Sequence, residues 1–200
     1  MIIKFDHISY VAERSPVNGI LKECGEPVFS EEGLRNPTVK NALMRYPQQD
    51  HDLYFFDKDI PVEYILYDKI GEPGDIRVID DRIHGKYTDI HKAAGFLESL
   101  FGKRSVNING DQIECNMKGV IDRRDYILVL SRSEKDDITP FLDDGGYGIP
   151  ALIVNKDIND IVNGTCTERE HLEVNGKDLV LCFARSMYTN VIIEMIKVSR

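Results

Sequence analysis

MIIKFDHISYVAERSP, residues 1–16, is an apolar run with one histidine in its middle and a helix start at its end. Alternate side chains of an extended strand share a face. His7 is therefore expected to point with Phe5, Ser9 and Val11, and Asp6, Ile8 and Tyr10 to point the other way. A titratable imidazole then stands on one wall of a sheet, either as a hydrogen-bonded core histidine or as a ligand. Ser15 can cap a helix whose first residue is Pro16, and the helix VNGILKEC then stops at Gly25 in a left-handed cap.

Working outward, PVFSEEG, ALMRYP, HDLYFFD and VEYILYDKI read as strands, so residues 1–70 run strand, helix, strands. After the Gly/Pro break GEPGD, IRVIDDRI reads as a strand. TDIHKAAGFLESLFG then reads as a helix, with Thr88 or Asp89 near its start, Gly102 at its end and an apolar stripe of Ala93, Phe96, Leu97, Leu100 and Phe101. RSVNI, DQIECNMKG and DYILVLS follow as strands, the first two joined by a tight turn at Asn109 and Gly110. Beyond SEKDD and the loop LDDGGYG comes a weaker block of the same order. It consists of the strand GIPALIVN, a short helix INDIV between Asp157 and Gly164, and the strands REHLEV, DLVLCFARS and NVIIEMIKV. DDGGYG lacks the lysine and the strand-loop-helix context of a phosphate loop, and reads as a connection or lid.

Composition narrows the function classes. A formal charge of -9 leaves no basic stripe for a phosphate backbone, which argues against nucleic acid and for a small-molecule ligand. Cys24, Cys115, Cys166 and Cys182 are widely spaced with no CxxC, so they read as reduced thiols rather than a zinc ribbon. No stretch has the apolar length of a membrane helix, and Lys4 and Asp6 fall where a signal peptide needs its apolar core. Cytoplasmic residence is expected, with no membrane partner.

Three passes through βαβββ, with helices ending at Gly25, Gly102 and Gly164, make an internal repeat over residues 1–70, 75–133 and 145–200. In these residues the chain resembles the vicinal oxygen chelate superfamily, which includes glyoxalase I, extradiol dioxygenases and fosfomycin-resistance proteins. FDHISYVAE is similar to that family's opening strand with its metal-binding histidine, and TDIHKAAGFLESLFG to its recurring helix. VEYILYD and VIIEMIKV resemble its module-ending strands, where a glutamate ligand sits among apolar residues. The resemblance implies an α+β fold in which βαβββ modules form a cup-shaped, incompletely closed β-barrel with flanking helices.

Carried over residue by residue, the resemblance gives His7 and Glu63 from the first module and Glu194 from the last as metal ligands. The departures are as informative. Arg82 stands where the second module's histidine would fall, with His84 two residues on; DYILVLS has no glutamate; and Pro150 or Ala151 falls near the third module's ligand position. The first two modules could form the cup while the third pairs elsewhere, as in a homodimer, or the first and third could form it and bring His7, Glu63 and Glu194 together.

Glu194 shares a strand face with Ile192 and Ile196, so it is expected to turn inward, where a carboxylate needs a metal or a basic partner. Glu63 follows Pro61 on the same face, which suits an edge strand. One imidazole and two carboxylates resemble a facial triad that leaves positions open on Fe(II), Mn(II), Zn(II) or Ni(II). Such an ion would serve a lyase, isomerase or dioxygenase, with Glu194 also placed to move a proton. Arg82 suits an anionic substrate, and Tyr67, with Tyr54, Phe55, Phe56 and Tyr64, an apolar or aromatic one. The alternative is a cup without metal that binds or sequesters a small molecule, as resistance-type relatives do.

Overall fold

The computed structural model describes residues 2–14, 17–34, 49–57, 61–68, 77–79, 82–117, 126–136, 138, 148–154, 170–174 and 176–198. The Ser15 and Pro16 cap, ALMRYP, GEPGD, most of LDDGGYG, INDIV with Asp157 and Gly164, and Cys166 lie outside the described residues.

Chain order begins with β1 (Ile2–Glu13), α1 (Val17–Cys24), β2 (Phe29–Leu34), β3 (His51–Phe56) and β4 (Val62–Tyr67). It continues through β5 (Arg77–Ile79), β6 (Arg82–Tyr87), α2 (Ile90–Phe101), β7 (Val106–Asn109), β8 (Gln112–Met117) and β9 (Tyr126–Arg132). β10 (Gly148–Val154), β11 (Glu170–Val174), β12 (Lys177–Ala184) and β13 (Ile193–Val198) complete it. Both described α-helices stop where glycine allows a left-handed residue: Gly25 at φ 80° donates its N–H to Leu21 O, and Gly102 at φ 86° to Glu98 O. At the start of α2, Asp89 rather than Thr88 supplies the cap, its carboxylate accepting from the His91 and Lys92 amides.

The strands form two sheets. The larger has eight strands in the order β11-β12-β13-β10-β1-β4-β3-β2 and curls into an incompletely closed half-barrel; the smaller has the order β5-β6-β9-β8-β7. The larger sheet reads the same from its middle outward, since β1-β4-β3-β2 mirrors β10-β13-β12-β11 across an antiparallel β1/β10 pair. Strands from the first and last parts of the chain therefore share one sheet, and those between residues 77 and 132 form the other.

Two strand readings change. IRVIDDRI is not one strand: β5 pairs antiparallel with β6 in the register Ile79 to Arg82, leaving only Asp80 and Asp81 between the partners. β4 is not at an edge: it lies between β1 and β3, and Pro61 stands just before it, its carbonyl accepting from Ile8 N–H (3.1 Å). The missing proline N–H thus removes no bond from the ladder.

Alternation along β1 sends Ile8 to the outer face and His7, Ser9 and Val11 to the inner one. On the outer face Ile8, Leu152, Cys182 and Met195 join one core with Ile83, Ile113, Cys115 and Leu128 of the second sheet and with Ala93 and Leu97 of α2. α1 covers the same face further along, its Val17, Ile20 and Leu21 packing on Tyr54, Phe56 and Leu66. With its outer face covered, the sheet leaves its polar residues to the inner one.

Gly85 packs tightly against the segment that enters β13 and against its neighbour strand β9. A Cβ there would lie 2.6 Å from Val191 Cγ2 and 2.8 Å from Leu130 Cδ2. The same strand is tied to the segment entering β13 by Asn190 N–H to Lys86 O (3.2 Å) and Lys86 N–H to Asn190 Oδ1 (2.7 Å). Gly85→Ala is expected to destabilise the protein by about 1 to 3 kcal/mol through overpacking. A drop of several degrees in the thermal unfolding midpoint would show it, and an unchanged midpoint would refute the close packing.

Candidate metal centre

Register places the three candidate ligands in one row. β1 runs parallel to β4 with Ser9 opposite Glu63, antiparallel to β10 with His7 opposite Ala151, and β10 runs parallel to β13 with Ala151 opposite Glu194. His7 and Glu194 sit two strands apart, about 10 Å between backbones, and reach each other over the small side chain of Ala151. His7 Nε2 lies 3.9 Å from Glu194 Oε2 and 3.6 Å from Glu63 Oε2. One ligand atom from each of the three falls within 4.8 Å of the others. His7 is 6% exposed and Glu194 7%, and Phe55 meets the imidazole edge-on at 5.4 Å between ring centroids.

The protonation of His7 follows from its contacts. Nδ1 is 3.0 Å from Asp6 Oδ2, and Nε2 is 3.1 Å from Ser9 Oγ. Ser9 donates its own proton to Glu63 Oε2 at 2.7 Å, so toward His7 it can only accept. Both ring nitrogens face acceptors, and His7 is an imidazolium. Burial alone would lower its pKa, but the hydrogen bonds to Asp6 and Glu63 and the charges of Glu63 and Glu194 push it up to about 10.

Asp6 departs from simple alternation. The β1/β10 register shifts between Phe5, opposite Leu152, and His7, opposite Ala151, which is a β-bulge at Asp6. An extra residue on one strand breaks the period of two, so consecutive carboxylate and imidazole groups come within hydrogen-bond reach. Alternation had put Asp6 on the other face. Nothing local in FDHIS marks a bulge, which is set by pairing with a strand far along the chain.

The residues fit a divalent cation. Oxygen and nitrogen ligands bind such an ion at about 2.0–2.2 Å, which puts ligand atoms of one ion roughly 3 Å apart or slightly more. Contacts of 3.6 and 3.9 Å are within small side-chain adjustments of that spacing. Among the described residues no fourth histidine or carboxylate joins the three, and register shows which residue of β10 corresponds to His7. The sheet's mirror pairs Ser9 with Glu63 on one side and Ala151 with Glu194 on the other, so Ser9 corresponds to Ala151 and His7 to Ile149. Sequence comparison of the modules suggested Pro150 or Ala151 instead, an offset of one or two residues that only pairing resolves.

The other candidates lie apart from this row. Tyr67 is fully buried, its ring 5.4 Å from that of His51, which pairs with it across β3 and β4. Arg82 opens β6 of the second sheet, half exposed, its guanidinium 3.6 Å from Glu114. His91 is exposed on α2. Cys115 is a core thiol, and burial pushes its pKa up to about 12, far from a nucleophile's range. Sequence reading placed Ser9 on the correct face but gave it no role, since an isolated serine on a strand carries no signal.

Fold and site together define a curled β-sheet cup with a buried histidine-carboxylate centre that could hold a divalent ion. Among solved structures, glyoxalase I from Zea mays is similar over 99% of this chain and 68% of its own, at 10% identity and a TM-score of 0.36. A mutant of glyoxalase I from the same plant matches over 98% and 68%, at 11% identity and TM-score 0.36. A candidate dioxygenase from Bacillus subtilis matches over 100% of this chain and 64% of its own, at 13% identity and TM-score 0.34. The chain thus spans about two thirds of the length of each. No family model matches it, and no curated relative does. Among the described residues no helix is long and apolar enough to cross a membrane.

Proposed function

We propose that His7, Glu63 and Glu194 hold a divalent cation, Fe(II), Mn(II), Zn(II) or Ni(II), and that the chain is a metal-dependent small-molecule enzyme, a lyase, isomerase or dioxygenase. The observation that carries the reading is the convergence of one imidazole and two carboxylates within 4.8 Å on the inner face of the cup. When bound, such an ion polarises a substrate carbonyl and stabilises an enediolate-like anion. Glu194 is the residue for moving a proton, since its carboxylate has a second oxygen beyond the one facing His7. Phe55 and the other inner-face apolar groups exclude water from that transfer. Among the described residues Cys24, Cys115 and Cys182 form no disulfide, which suits a reducing, cytoplasmic compartment.

A second reading rests on His7 itself. As an imidazolium it already neutralises part of the carboxylate charge without a metal, and its counterpart by register on β10 is Ile149 rather than a second histidine. On that reading the cup binds or sequesters a small molecule. Elemental analysis of untagged protein decides between them: near-stoichiometric metal, lost in His7→Ala and Glu194→Ala, supports the enzyme. No metal in any of the three after soaking with each of the four divalent ions sinks it in favour of the binding cup.

A further inference from the structure

The bulge at Asp6 gives the centre a part that neither the strand pattern nor the ligand set contains. On a regular strand, neighbours point to opposite faces and cannot bond through their side chains. Here the register slips by one residue between Phe5 and His7, and Asp6 Oδ2 reaches His7 Nδ1 at 3.0 Å. The Asp6 side chain is 28% exposed while His7 is 7%, so the carboxylate stands at the rim and the ring below it. The other ring nitrogen points the opposite way, to Ser9, Glu63 and Glu194.

A metal can replace only one of the two imidazole protons, and the ring could in principle turn either nitrogen toward it. A carboxylate on Nδ1 removes that choice: it keeps the Nδ1 proton, fixes the ring about its long axis and leaves Nε2 for the ion. We propose that Asp6 is the positioning residue of this centre, the bulge in β1 existing to bring its carboxylate onto His7 Nδ1 and so present Nε2 to the cation between Glu63 and Glu194. This rests on the metal reading above. Ser9 completes the arrangement, since its hydroxyl holds Glu63 Oε2 on the Nε2 side of the ring.

The test uses the full chain with 15N-labelled histidine, titrated with 113Cd(II) at pH 7.5. In the wild type, cadmium coupling is expected at His7 Nε2 with Nδ1 still protonated. Asp6→Ala is expected to bind cadmium about 10–100-fold more weakly, the usual loss for an outer hydrogen-bonding partner of a ligand, and to split the coupling between the two nitrogens. Asp6→Asn, whose amide oxygen accepts the same proton, should restore Nε2 coupling and most of the affinity. Wild-type affinity with Nε2 coupling alone in Asp6→Ala would overturn the positioning role and leave the metal site standing. A wild type that takes up no cadmium would overturn both.

Discussion

Between pH 6.5 and 10 the metal-free protein is expected to lose about 1 kcal/mol of stability for each pH unit, and His7→Ala to remove most of that slope. In the folded chain the pKa of His7 is raised to about 10, against 6.5 for an ordinary histidine. A raised pKa means the folded state holds a proton that the unfolded state has released. Its contribution is fully present below pH 6.5 and is lost as pH rises through the folded value. The cause is geometric: Asp6 on one nitrogen, Ser9 on the other, and Glu63 and Glu194 within 3.6 and 3.9 Å. Urea unfolding at pH 6, 7.5 and 9 in the presence of a chelator measures the slope. A flat profile in the wild type would mean that His7 is neutral in the folded protein, with only one of its ring nitrogens donating.

The same proton opposes the metal. An ion ligated by Nε2 must displace the proton that faces Ser9, so zinc binding is expected to release close to one proton at pH 7.5 and to tighten by up to about tenfold per pH unit below pH 10. Calorimetry in two buffers of different ionisation enthalpy counts the protons released. None would show that His7 does not ligate.

How far the sequence carried the reading depends on the range of the interactions involved. Alternation turned Glu194 inward and gave His7 and Glu63 each a definite strand face, because side-chain period in a strand is local. Gly25 and Gly102 marked helix ends for the same reason. The partnership of strands was not local: FDHISYV and GIPALIV are some 140 residues apart, and both pairings of modules fitted the sequence equally well. The bulge at Asp6, the antiparallel pairing of β5 with β6, and the internal position of β4 all depend on which backbone lies alongside. Residue identity restricts those choices without making them.

Ile149→His is expected to tighten zinc binding by on the order of tenfold or more, about 1.4 kcal/mol, while depressing any reaction that needs an open coordination position. Position 149 is opposite Ser9 as Ala151 is opposite His7, so the mirror of the sheet makes it the counterpart of His7. Three protein ligands leave a metal position for water or substrate, and a fourth closes it as in structural sites. On the metal reading, the residue at register position 149 decides whether the second half of the sheet supplies an imidazole. Competition against a zinc chelator gives the affinity, and cobalt substitution gives the geometry, since closing the site with a second imidazole changes the visible spectrum. Unchanged affinity and an unchanged cobalt spectrum in a folded Ile149→His protein would mean that position 149 does not face the ion. The three-ligand centre would then be asymmetric by construction, not a symmetric one with a single position filled by isoleucine.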